Sequence, residues 1–108
     1  MTDASPRIKL PERAKRGEIV DVRSFIIHPM ESGLRKDKSG GRVPRRIIHA
    51  FEAHFDGELV FAAELEPAVA ANPFLRFTMR AEKSGTLVCR WHEEGGESWT
   101  ANAFLEVS

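Results

Sequence analysis

The residues best suited to chemistry are four histidines, His28, His49, His54 and His92, and a single cysteine, Cys89. Imidazole and thiolate bind metals and move protons, so their spacing decides what they can do together. Cys89-Arg90-Trp91-His92 has Cys-x-x-His spacing. Residues three apart on a regular strand point to opposite faces, so this pair converges only on a bent loop. His49 and His54 fall on opposite faces by the same count. Cys89 is in phase with Leu87 and Trp91, which predicts a buried, inert thiol. No metal or cofactor is expected, and with one cysteine there is no internal disulfide.

His28 opens the least ordinary stretch of the chain. The run His28-Pro29-Met30-Glu31 leads into a polar loop with six basic residues, Arg35, Lys36, Lys38, Arg42, Arg45 and Arg46, against Glu31 and Asp37. Compact domains rarely keep a connection of this length without using it. An acid–base catalyst needs a partner within hydrogen-bond reach, and nothing in the sequence identifies one for His28. Ser39-Gly40-Gly41 precedes no strand–helix unit and reads as a loop tip, not a phosphate cradle. The loop carries no aromatic residue for stacking bases, so nucleic acid is not an expected partner. Docking to protein is, through His28, Pro29, Met30, Glu31, Arg35 and Arg45.

The elements that must hold this loop are strands. Helical periodicity is nearly absent, and short alternating runs are separated by turn residues. Residues 1–6 read as a flexible tail and 7–108 as a single domain. Candidate strands cover 7–10, 18–27, 46–55, 58–65, 74–82, 86–93 and 97–107, with 66–73 as a connection between sheets. About seven antiparallel strands at this spacing predict an all-β sandwich, with Trp91 and Trp99 as large core residues. Hydrophobic content of 42% and charged content of 30% are ordinary for a globular chain. Net charge is zero but uneven: residues 1–51 hold 12 Lys/Arg and 6 Asp/Glu, residues 52–108 hold 4 and 10. No apolar stretch approaches the ~20 residues that span a bilayer, and the N-terminus lacks an apolar signal core. No membrane contact is expected.

Asp56-Gly57, between two alternating runs, is a strong hairpin signal because both turn residues must reach positive φ. The hairpin departs from simple amphipathic alternation. Opposite Ile47, His49 and Phe51 lie Ile48 and Ala50; opposite Leu59, Phe61 and Ala63 lie Val60 and Ala62. A solvated sheet face should be polar, so Ile48 and Val60 are candidate docking residues.

Several motifs resemble a known family. They are Ile8-Lys9-Leu10-Pro11, Gly17-Glu18-Ile19-Val20, the run from His28 through Asp37 (HPMESGLRKD), and Val43-Pro44-Arg45-Arg46-Ile47-Ile48. Leu65-Glu66-Pro67-Ala68, Ala71-Asn72-Pro73 and Ser84-Gly85-Thr86-Leu87 continue the likeness. Together they resemble the SoxZ family. The resemblance implies an immunoglobulin-like β-sandwich that forms a heterodimer with SoxY in thiosulfate oxidation. SoxY would hold the sulfur intermediate on a cysteine in its C-terminal arm, and the pair would meet the other Sox enzymes transiently. The chain here ends Phe104-Leu105-Glu106-Val107-Ser108, without such an arm, so a non-catalytic role is implied. The resemblance also implies a periplasmic destination, reached by export with the partner.

Two rival readings remain. The set of four histidines and one cysteine equals the iron ligands of superoxide reductases, which share an immunoglobulin-like sandwich; stoichiometric iron would favour that reading. A stand-alone interaction module is the other, and a monodisperse monomer with no partner preference would favour it.

Overall fold

A computed structural model describes residues 5–28, 34, 36–42, 46–65 and 74–108. Among these residues the chain forms eight strands and no helix: β1 Arg7–Lys9, β2 Arg13–Ala14, β3 Ile19–Phe25, β4 Ile48–Phe55, β5 Glu58–Glu64, β6 Phe74–Arg80, β7 Gly85–Glu93 and β8 Ser98–Val107. They build two sheets, of order β1-β3-β6 and β2-β8-β7-β4-β5. Every pairing is antiparallel except that of β2 with β8. The fold is the expected immunoglobulin-like sandwich. The strand beyond the expected seven is β2, a two-residue piece between Pro11 and the turn at Arg16-Gly17, too short to leave an alternation pattern. The expected connection at 66–73, and most of the expected tail, lie outside the described residues.

The core lies between the sheets and follows strand parity. Val20 and Val22 of β3 meet Phe77 and Met79 of β6 from one side; Phe51, Ala53, Leu87, Cys89, Trp91 and Leu105 fill the other. Phe51 sits edge-on to Trp91 with ring centroids 5.1 Å apart. Phe61 of β5 stacks on Phe77 of β6 at 4.6 Å and 3°, which closes the open side of the sandwich with a parallel aromatic pair. Ser24 is the one hydroxyl on the inward face of β3, and it donates to the Leu75 carbonyl at 3.1 Å, as a buried polar group must.

The hairpin of β4 and β5 turns as its sequence requires, with φ of 49° at Asp56 and 85° at Gly57. The phase of β4 differs from the sequence expectation. The register against β7 shifts between Ile48 and Ala50. This bulge puts both Ile47 and Ile48 in the core and leaves His49 exposed. One extra residue on a strand reverses the parity of everything before it, so His49 does not share the face of Phe51 and Ala53.

Candidate functional site

The inward alternation of β3 does not stop at the strand's end. It runs Val20, Val22, Ser24, Ile26 and on to His28, all buried. On β7 the same rule gives Leu87, Cys89, Trp91 and then Glu93. Two apolar tracks from different sheets thus each end in a polar residue at the same end of the sandwich. His28 Nε2 lies 2.7 Å from Glu93 Oε2. Arg46 donates to the same oxygen from Nη2 at 3.2 Å. The imidazole also packs edge-on against Trp99, with centroids 5.6 Å apart.

Burial alone would raise the Glu93 carboxyl, but the hydrogen bonds and positive charge from His28 and Arg46 outweigh it and hold it below its ordinary value. The carboxylate is therefore the ionised member. An ionised carboxylate only accepts, so His28 carries its proton on Nε2. His28 and Arg46 bracket the basic loop, and both its ends are fastened to one buried oxygen. The backbone reinforces the clasp, since Glu94 N–H donates to the Ile47 carbonyl at 2.9 Å. With His28 2% exposed, the imidazole faces the protein interior. Its geometry suits a positioning role for the loop. The sequence alone names no partner for His28; Glu93 is that partner, and the next inward position along the Leu87, Cys89, Trp91 track reaches it.

The loop tip is ordered by Asp37. Its Oδ1 accepts from Ser39 Oγ at 2.7 Å, Gly41 N–H at 2.9 Å and Ser39 N–H at 2.9 Å. Those bonds, the Ser39 hydroxyl's foremost, hold its carboxyl below the ordinary aspartate value. Lys36 and Arg42 pair across this tip as an isolated bridge. Pro29, Met30, Glu31, Arg35 and Arg45 lie outside the described residues.

The two hairpin candidates part company. Ile48 is fully buried in the chain's own core, because of the bulge, and offers no surface to a partner. Val60 is 37% exposed on β5, beside Leu59 at 55%. β5 is an edge strand of the five-stranded sheet. Ala50, Glu52, Ala62, Glu64 and His92 line a shallow depression of about 230 Å³ beside it, where His92 Nε2 lies 3.2 Å from Glu52 Oε1.

The five potential metal ligands are dispersed. Cys89 lies in the core, and burial pushes its thiol up to about 12. His92 points outward to Glu52, His28 inward to Glu93, His49 to solvent, and His54 lies half-buried on β4. Among the described residues no three His, Cys, Asp or Glu side chains are placed to hold a metal ion.

The family model for the sulphur oxidation protein SoxZ matches residues 8–103. The chain belongs to the SoxZ family. A comparison with curated proteins gave no match. Among solved structures, SoxZ-type architecture is shared with the sulfur carrier protein SoxY from Chlorobium limicola f thiosulfatophilum, at TM-score 0.69 and 20% identity over 99% of this chain and 83% of that one. A superoxide reductase (neelaredoxin) from Ignicoccus hospitalis aligns at TM-score 0.73 and 22% identity over 95% of this chain and 80% of that one. A putative superoxide reductase from Thermotoga maritima aligns at 0.66 and 18% over 95% and 85%. At these identities the likeness is one of fold. It is a sandwich type that this chain shares with SoxY and superoxide reductases.

Proposed function

We propose that this SoxZ-family chain is the non-catalytic subunit of a SoxYZ carrier, pairing with SoxY through the exposed edge of its five-stranded sheet. The observation that carries this reading is β5. An edge strand leaves half of its backbone N–H and C=O groups without a ladder partner, and this one adds Leu59 and Val60 to that edge. A partner with the same sandwich fold can lay a strand or a sheet face there. A stable complex buries ~800 Å² per partner, which one sheet edge with its flanking face can supply. The sulfur intermediate would then belong to SoxY, and the clasped basic loop would present itself to the enzymes that act on it. The reading extends to a periplasmic location for the pair, which cell fractionation checks.

Co-purification with SoxY followed by native mass spectrometry tests the pairing. The expected result is a one-to-one complex, lost when Leu59→Glu and Val60→Glu are combined while the isolated chain still melts cooperatively. A full complex with the double variant removes β5 from the interface. A monomer in the presence of SoxY overturns the pairing itself.

A further inference from the structure

The outward face of the three-stranded sheet has no role in the pairing just described. Register places its residues in rows across the strands. Arg7, Phe25 and Phe74 form one row; Lys9, Arg23 and Arg76 form the next. All six are exposed. The single carboxylate on this face among the described residues is Asp21, already engaged by Arg76 Nε at 2.7 Å and Arg23 Nε at 3.0 Å. Those bonds from Arg76, with Arg23 beside it, hold its carboxyl below the ordinary aspartate value despite the partial desolvation that opposes them. Cationic charge is therefore in clear excess. Arg7 sets its guanidinium 5.9 Å above the Phe25 ring, and Phe74 is 58% exposed beside it. Next to the cationic row, Lys9, Leu10, Pro11, Asp21 and Arg23 line a depression of about 350 Å³.

We infer that this face docks an acidic protein surface that carries an apolar side chain. Arginine and aromatic residues at a patch centre are the composition of protein interfaces, and guanidinium forks match carboxylates in pairs. Charge complementarity defines the partner: it supplies carboxylates to Arg7 and Lys9, and to the guanidinium N–H groups that Arg23 and Arg76 do not spend on Asp21. The patch is also mixed, with Asp21 in the row next to Arg23 and Arg76 on the central strand. A uniform polyanion, such as nucleic acid or an anionic lipid leaflet, engages Arg23 and Arg76 only by drawing them off Asp21 and baring its charge. A protein surface can present a neutral or basic group there. Three strands, one of them only three residues long, make a small face, so the contact is weak and salt-sensitive.

The test uses the purified chain and three probes: a labelled peptide of glutamates around a Leu-Leu pair, an oligothymidylate of equal length, and phosphatidylserine vesicles. Binding is followed by anisotropy or co-sedimentation, and the site by amide shift mapping. The peptide is expected to bind with shifts confined to β1, β3 and β6. Its affinity should fall about tenfold in Arg7→Glu/Lys9→Glu and in raised salt. Both substituted residues are exposed on the short edge strand, so the melting temperature should hold. Phe74→Ser is a second variant, expected to weaken binding while leaving its salt dependence in place. Unchanged affinity in both variants, shifts mapping elsewhere, or tighter binding of the oligothymidylate or the vesicles each overturns the assignment.

Discussion

Glu93 and Asp56 stand at the two ends of β4, the one beside Ile48 at its start and the other just past Phe55 at its finish. Each gathers hydrogen bonds that close its end of the sandwich. Glu93 is buried and takes its donors from His28 and Arg46, 65 and 47 residues away. Asp56 is partly exposed, sits at positive φ in a tight turn, and accepts from Thr86 N–H at 2.9 Å with Lys83 Nζ 4.0 Å off. One carboxylate holds by low dielectric and distant partners, the other by turn geometry. The contrast teaches where loss of a carboxylate is costly: where water cannot replace it.

Glu93→Ala should therefore be the most damaging change of the set. It leaves the His28 N–H buried without this acceptor, and stranding a buried donor of a charge-assisted hydrogen bond costs about 3 kcal/mol. Urea unfolding followed by tryptophan fluorescence measures it. Arg46 is partly exposed and can turn to solvent, so Arg46→Ala should cost less than half as much. Equal losses from Glu93→Ala and Asp56→Ala would erase the distinction between the two ends.

At the Asp56 end the sharper probe is Gly85. A Cβ there would lie 2.5 Å from Asp56 Oδ1, so Gly85→Ala must push the carboxylate away from the Thr86 amide. Asp56 is exposed and its carboxylate can swing aside, so the cost is that of the Thr86 hydrogen bond, about 1 kcal/mol. The cost should shrink in an Asp56→Ala background, where nothing occupies that space. Purely additive losses in the double-mutant cycle would mean that Asp56 is not the obstacle.

Legibility in the sequence follows the same divide. Asp56-Gly57 announced its hairpin because a local conformational demand restricts residue choice. Strand parity placed Cys89 and Trp91 in the core. The bulge at His49 was not legible, since an inserted residue leaves no mark when both Ile47 and Ile48 are apolar. That concealed insertion is why Ile48 reads as surface from the sequence and lies in the core. Glu93 went unseen for another reason. Its partners are distant in sequence, and a charged residue closing an apolar track resembles an ordinary strand terminus. The edge position of β5 is a property of sheet order, which no local pattern carries.

The smallest effect gives the most discriminating view of Glu93. Glu93→Gln keeps an oxygen that can accept one hydrogen bond and removes the charge, so the loss at neutral pH should be about 1 kcal/mol. Burial opposes ionisation here, yet the His28 and Arg46 hydrogen bonds depress the folded-state carboxyl below its ordinary value of 4.5. A depressed carboxylate contributes stability that is complete above the unfolded value and is lost as pH falls through the folded one. The gap between wild type and Glu93→Gln should thus stay constant from neutrality down to about pH 4.5 and close only below it. Chemical denaturation across a pH series follows that gap. A gap that closed near neutrality would mean that Glu93 takes up its proton far more readily than its two donors allow. A gap that widened in acid would show that the charge was a burden on the fold. Either outcome would make the buried end resemble the exposed one, where the carboxylate's geometry matters more than its ionisation.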